Sequence, residues 1–306
     1  RVAAAAAAAP ARRYFKKIDS TLRGNLGAEV DAAMRATGAA GAVLTPAFPA
    51  QGRVVIDRIL FVEGRPVAET ALGRDPERPR RDSSNVVDRV RPDLDRPLAW
   101  IPIDQVRAGP DALNARLRRL RGTVAVADAE TDEDLAALVD AALVLDPAPL
   151  LIGAAGLAHA LAARLGLLPE RAPLPSGSRW LVVAGSRHPV TRAQIAAARA
   201  AGMRVVASAE AEAPGRAQVA ARLAAEARRL LEAEAFDVVA VTGGQTAVAL
   251  YRALEAERID LVGAPVPGLA LGYMRAPRRP EQALLTKAGG FGAPDLFVSL
   301  WRRAAA

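Results

Sequence analysis

Trp180-Leu181-Val182-Val183-Ala184 is an unbroken apolar run, followed directly by Gly185-Ser186-Arg187-His188-Pro189-Val190-Thr191. Five apolar residues bounded by a turn read as a strand buried on both faces. Proline near a first helical turn reads as a helix start, and the helical spacing continues to residue 201. Downstream the pattern repeats. Strands are expected at 203–207, 237–241 and 284–287, and helices at 215–235, 245–254 and 294–303. Strands alternating with helices predict a parallel sheet covered on both faces.

Upstream lies the clearest linker, 167–179, with three Pro and one Gly. It separates a first domain, 1–172, from a second, 178–306. The first domain is expected to hold strands at 12–18, 42–45, 100–103, 123–127 and 150–152. Helices are expected at 26–37, 110–120, 132–144 and 155–165. A hairpin pairs 54–62 with 67–70 around the turn 63–66, and a loop with a short helix fills 73–97. The fold class is α/β: two domains, each with a mainly parallel sheet flanked by helices.

Composition narrows the chemistry. The 306 residues are 51% hydrophobic and 24% charged, enough apolar material for real cores. There is no Cys, which removes disulfides, thiolate metal sites and cysteine nucleophiles. Two His residues, His159 and His188, cannot build a multi-His metal site. A metal here is expected to be a hard cation on oxygen ligands, though the residues themselves name no ligand set. Residues 171–306 carry 18 Lys and Arg against 11 Asp and Glu, while residues 1–170 carry 23 against 22. The second half therefore attracts a polyanion. Aromatic residues are 4%, and no basic helix, zinc-finger or aromatic RNA-binding pattern is present, so nucleic acid is not the expected partner. A nucleoside triphosphate fits the same charge. No apolar run approaches the ~20 residues of a membrane span. Arg1 to Pro10, nearly all Ala, reads as the end of a helix rather than a leader. A cytoplasmic protein without a membrane partner is the expectation.

Three strand ends in the second half have the composition of phosphate loops. They are Gly185 to Thr191, Thr242-Gly243-Gly244-Gln245-Thr246, and Lys287-Ala288-Gly289-Gly290-Phe291-Gly292. Glycine lets backbone approach a phosphate, and ligands of such sheets sit at the carboxyl ends of strands, where helix N-termini point. Ser186, Thr242, Gly243, Gly244, Gln245, Lys287, Gly289 and Gly290 are the candidate nucleotide contacts. Each loop alone reads more readily as a turn than as a site; all three in one sheet of the basic half point to a bound phosphate. Neither G-x-x-x-x-G-K-[ST] nor G-x-G-x-x-G is present.

The first half has one dense polar cluster, Lys16-Lys17-Ile18-Asp19-Ser20-Thr21-Leu22-Arg23-Gly24-Asn25, holding two of the chain's three Lys residues. An Arg-rich chain that keeps Lys here favours a position needing a compact point charge. The plain reading is a helix N-cap at Asp19, Ser20 or Thr21 among solvated cations. The functional reading is a site for a small hydroxylated carboxylate: Lys and Arg for the acid group, Asp and Asn for the hydroxyls. Arg53, after Pro46-Ala47-Phe48-Pro49 and Gly52, can join it. The acidic run Asp128, Glu130, Asp132, Glu133 and Asp134 reads as a helix start complementing the dipole, with metal binding as the minor alternative.

Lys16 to Asn25, with Pro46 to Pro49 and Gly52-Arg53, resembles the four-carbon acid sugar kinases, the kinases of threonate, erythronate and 3-oxo-tetronate. Gly185-Ser186 with Pro189-Val190-Thr191 and Gln194-Ile195, Thr242-Gly243-Gly244, and Thr286 to Gly292 agree with that family. The resemblance covers nearly the whole chain. It implies an N-terminal sugar-acid domain, a C-terminal nucleotide domain, and ATP and Mg²⁺ as co-reactants. It implies phosphoryl transfer to a sugar-acid hydroxyl, with Asp19 orienting or deprotonating it and Lys17, Arg23, Asn25 and Arg53 binding the acid. A homodimer is compatible with it. The sequence departs from the family in three places. The family's Asp-Asp-x-Thr-Gly-type motif lies upstream of the point where this chain starts, so its first strand is expected to be missing. His188 stands where Ser is usual, and Ala264 where Glu is usual. A non-catalytic nucleotide or sugar-acid binding protein is the alternative function. An NAD(P) oxidoreductase is a third reading, without its glycine fingerprint.

Overall fold

The computed structural model describes residues 13–70, 73, 83–168, 172–185, 188–208, 215–266, 268–277 and 279–305. The chain divides into two compact units, Arg1–Leu168 and Pro169–Ala306.

The first unit runs β1 (Phe15–Lys17), α1 (Leu26–Thr37), β2 (Ala42–Thr45), β3 (Arg53–Ile56), β4 (Ile59–Val62), β5 (Arg65–Pro66) and α2 (Val86–Val90). It continues with β6 (Leu98–Ile101), α3 (Ile103–Val106), α4 (Pro110–Arg119), β7 (Val124–Ala127), α5 (Asp132–Leu143), β8 (Leu150–Gly153) and α6 (Ala155–Arg164). A five-stranded sheet has the order β1-β8-β2-β7-β6, with every pairing parallel. Its central strands are buried at every residue, as continuous Val, Leu, Ile and Ala runs require when helices cover both faces.

The predicted strand over 54–62 is two strands. A turn at Asp57-Arg58 splits it, with both residues at positive φ (48° and 69°). Neither is Gly or Asn, so local sequence does not announce the turn. A distant carboxylate makes it. Buried Asp128 accepts from the N–H of Asp57 at 2.9 Å, the N–H of Arg58 at 3.0 Å and the Trp100 indole at 3.1 Å. Arg58 then lies over the Trp100 ring, 4.5 Å from its centroid. The predicted arm at 67–70 is mostly a 3₁₀ turn, Val67–Glu69. Asp128→Ala is expected to cost about 2 kcal/mol, because the turn's N–H groups can turn to water while the indole loses its acceptor. Thermal unfolding checks this.

The second unit runs β9 (Trp180–Ala184), α7 (Pro189–Ala200), β10 (Arg204–Ala207), α8 (Arg216–Ala233), β11 (Val238–Thr242), α9 (Gly244–Ala253), β12 (Arg258–Gly263), β13 (Leu269–Arg275), β14 (Gln282–Lys287) and α10 (Leu296–Ala305). Its sheet has the order β10-β9-β11-β14-β13-β12. The first four strands are parallel, and β13 and β12 add an antiparallel edge. Alternate residues serve two cores. Trp180, Val182, Val238 and Ala240 pack with α10, while Leu181, Val183, Val239 and Val241 pack with α8 and α9. The α/β class holds in both units. The sequence reading left out β12, which is exposed and mixed, and β13, an apolar stretch broken by Gly272 that is largely buried.

Candidate functional site

In the first unit, β1 ends at Lys17, level with Gly153 of β8 and, through it, Thr45 of β2. The N–H of Ile18 still bonds to Gly153 O at 2.8 Å. The chain then turns sharply at the carboxyl end of the sheet. Asp19 Oδ1 accepts from the N–H of Thr21 at 2.9 Å and from its hydroxyl at 2.6 Å. Arg23 donates to Asp19 Oδ2. Leu22 is held at φ 58° with its side chain buried, and Arg89 reaches Thr21 O at 3.4 Å. A bulky residue in the left-handed region marks a loop over-determined by its surroundings.

This geometry removes the helix-cap reading of the cluster. Helix α1 begins at Leu26 and its cap is Asn25, without a side-chain capping bond. Asp19, Ser20 and Thr21 are therefore not its N-cap. Asp19 closes a tight turn of its own and carries an ion pair.

The cations are placed unequally. Lys17 bonds Ile18 O at 2.6 Å. Lys16 is committed to Glu29 at 2.6 Å. Arg53 opens β3, is 9% exposed and donates to Gln51 O. Asp19 and Glu63 are the carboxylates that act on its charge. Lys17, Asp19, Arg23 and Arg53 thus share one electrostatic neighbourhood. Asn25 is exposed and joins it only through the chain. Burial pushes the Asp19 carboxyl up. The hydrogen bonds from Arg23 and Thr21 and the Arg23 charge outweigh it and hold the group at about 2. Burial lowers Lys17, with Lys16 and Arg23 adding to the effect and Asp19 opposing it.

A lowered Asp pKa has a definite sign. The unfolded chain binds the proton first as pH falls, so this stabilisation is full above about pH 4 and lost between 3.8 and about 2. Its size is about 2 kcal/mol. The stability difference between wild type and Asp19→Asn is expected to close over that window in acid-unfolding curves.

In the second unit, Ala184, Thr242 and Lys287 stand level at the carboxyl ends of β9, β11 and β14. Three loops leave from these neighbouring positions. Ser186, a predicted contact, lies outside the described residues. His188 caps α7, its Nδ1 accepting from the N–H of Val190 at 3.3 Å. Gly243, at φ 97°, precedes α9 without a side-chain cap. A Cβ on Gly244 would meet nothing within 4 Å, so the helix start faces open space. Gln245 is exposed on that first turn. Thr242 is fully buried, and its hydroxyl has no hydrogen-bond partner among the described residues.

Lys287 is the surprise of this set. It was expected to point a charge at the ligand. Instead it is 5% exposed and donates to Ala288 O at 2.9 Å, Gly289 O at 3.0 Å and Phe291 O at 3.1 Å. An ammonium has three protons, and all three serve the glycine loop. Burial lowers it to about 8. Thr191, the last residue of the first candidate phosphate loop, and Gln194, part of the family pattern, bond to the loop after β14. The signal was available: two polar residues sit on the buried stripe of α7 with Ile195 and Ala198.

The acidic run resolves as structure. Asp134 and Thr131 form a capping box at α5, Arg107 binds Asp134 with two bonds of 2.8 Å, and Asp128 holds the hairpin turn. Among the described residues no three His, Cys, Asp or Glu side chains cluster to hold a metal. His159 is exposed on α6. No described helix is long and apolar enough to cross a membrane.

Comparison with known proteins converges on one family. Residues 1–161 match a sugar-binding N-terminal domain and residues 202–297 a nucleotide-binding C-terminal domain. A D-threonate kinase of Salmonella typhimurium is 40% identical over 61% of this chain, which is 43% of its own length. A D-threonate kinase of Bordetella bronchiseptica is 34% identical over 95% of this chain and 78% of its own. A 3-oxo-tetronate kinase of Pseudomonas fluorescens is 30% identical over 93% and 76%. The Salmonella match thus spans less than half of that relative, while the other two reach about three quarters of theirs. A crystal structure of a Haemophilus influenzae protein shares the fold, with a TM-score of 0.66 at 20% identity over 96% of this chain and 82% of that one. By both of its domains and by its near full-length relatives, the chain belongs to the four-carbon acid sugar kinase family.

Proposed function

We propose that this chain is an ATP-dependent kinase that phosphorylates a hydroxyl of a four-carbon sugar acid of the threonate, erythronate or 3-oxo-tetronate type. One observation carries the reading within the family: Lys17 and the Asp19–Arg23 pair, at the carboxyl end of β1, share one electrostatic neighbourhood with the buried Arg53. Such a set recognises a molecule bearing both a carboxylate and hydroxyls.

In this reading the domain of residues 1–172 binds the sugar acid and that of 178–306 binds the nucleotide. Arg53 and Lys17 attract the substrate carboxylate, with Arg23 and Asn25 at the rim. A carboxylate offers about four acceptor positions. Thr21 takes two of those on Asp19 and Arg23 a third. One remains for a substrate hydroxyl. A carboxyl held at about 2 is a weak base, so Asp19 orients the hydroxyl rather than removing its proton early. The hydroxyl oxygen bonds to the γ-phosphorus, the bond to the β,γ-bridging oxygen breaks, ADP leaves, and the hydroxyl proton departs late, through Asp19 to water. Such a transfer needs positioning and charge stabilisation more than covalent chemistry. The starts of α7 and α9 and the loop after β14 supply backbone N–H groups for the phosphates. Mg²⁺ commonly keeps its waters and binds through substrate phosphates with few carboxylates.

The test is ADP release by the purified chain with ATP, Mg²⁺ and each of D-threonate, D-erythronate and 3-oxo-tetronate, with the product identified by mass. Saturable release with one of them, absent without acid, is expected. Binding of both ligands without turnover would refute the assignment.

A further inference from the structure

The loop after β14 is arranged by an inward network of donors. Lys287 takes the carbonyls of Ala288, Gly289 and Phe291. The Thr191 hydroxyl takes Gly289 O as well. Gln194 Nε2 bonds to Phe291 O at 2.9 Å, Gly292 O at 3.3 Å and Ala293 O at 2.9 Å. Thr191 and Gln194 are both fully buried. In a trans peptide the N–H points opposite to the carbonyl of the preceding residue. Carbonyls drawn inward at 288, 289, 291 and 292 therefore turn the N–H groups of Gly289, Gly290, Gly292 and Ala293 the other way. None of those four N–H groups bonds to a described residue. Successive N–H groups on one side of a loop form an anion-binding concavity.

The arrangement has a cost that shows its purpose. Gln194 Oε1 is buried and has no hydrogen-bond partner among the described residues. The side chain leaves its own acceptor unsatisfied while its amide nitrogen holds three carbonyls. Packing alone would be met by an apolar residue of the same length.

We propose that Thr191 and Gln194 are positioning residues for nucleotide binding, acting with Lys287 to fix the carbonyls of residues 288–293 inward so that the loop's N–H groups face the phosphates. None of the three touches the nucleotide in this view. The proposal rests on the reading that this loop and the start of α9 meet the phosphates of ATP.

The experiment uses the full chain, with ATP and D-threonate titrated separately by calorimetry. Thr191→Val keeps the shape of the side chain and removes its donor, and Gln194→Leu removes the amide. Each is expected to weaken ATP binding about tenfold or more, since N–H bonds to a charged phosphate are among the stronger ones. D-Threonate affinity should stay at the wild-type value, and Thr191→Ser should restore ATP affinity, which a general loss of packing would not permit. If Gln194→Leu does not fold, Thr191→Val and its Ser counterpart decide. Wild-type ATP affinity in Thr191→Val, alongside weakened binding in Gly244→Val at the start of α9, would overturn the positioning role and leave the phosphate site standing. Wild-type ATP affinity in Gly244→Val as well, or no ATP binding by the wild type, would overturn the phosphate reading and the positioning role with it.

Discussion

Asp19→Asn is expected to lower kcat on the order of 10²-fold or more while leaving the Kd for ATP near wild type. The substitution keeps the size of the side chain and an oxygen that can still accept from Thr21. It removes the charge that pairs with Arg23 and faces Arg53 and Lys17. It also changes the remaining acceptor position, where the substrate hydroxyl would be aligned. A helix cap would tolerate the change, because Asn caps about as well as Asp, but α1 is capped by Asn25. Steady-state rates with saturating ATP, measured on protein shown to be folded by circular dichroism, give the answer. Unchanged kcat would remove Asp19 from the reaction and reduce the Asp19–Arg23 pair to a loop fastener.

Gly244→Val is expected to raise the Kd for ATP by one to two orders of magnitude, the loss of about one or two charge-assisted hydrogen bonds. The physical case is unusual for a glycine. A Cβ there meets nothing within 4 Å beyond its own helix and chain neighbours, and Gly244 is not one of the positive-φ glycines, so neither a clash at Cβ nor backbone strain opposes folding. What the valine occupies is the space in front of the uncapped start of α9. Gly243, at φ 97°, is the poor choice for this experiment, because any other residue there would strain the turn itself. Unchanged ATP affinity in a folded Gly244→Val protein would make this loop an ordinary turn.

The legible parts of the fold are those where one residue pattern serves one environment. The apolar runs at Ala42–Thr45 and Trp180–Ala184 and the helical spacing of Leu26–Thr37 are buried by their own sequence, and they fall where the pattern puts them. The Asp57-Arg58 turn was not legible, because its cause is a carboxylate seventy residues away. The edge strand β12 was missed because an exposed edge carries little hydrophobic contrast; β13, inside that edge and largely buried, was missed all the same. At the sites, residue types were readable but directions were not. Lys287 has the composition of a phosphate ligand and the geometry of a buried brace, a difference that depends on where three carbonyls end up. Asp19 is the converse: its residue type suited a cap, and only the position of Asn25 removes that reading.

The pairing of β1 with β8 has a consequence for biosynthesis. Phe15 is level with Leu151, and Lys17 with Gly153. The strand that carries the polar loop precedes β8 by more than 130 residues, yet β8 is its only sheet neighbour among the described residues. Among the described residues, those before 150 can form the β2–β7–β6 portion but offer β1 no sheet neighbour. The Asp19 loop is then without its anchor, the Ile18 to Gly153 bond. Such long-range closure is intrinsically slow, so the loop that carries Asp19 is expected to gain its anchor only after β8 has been made.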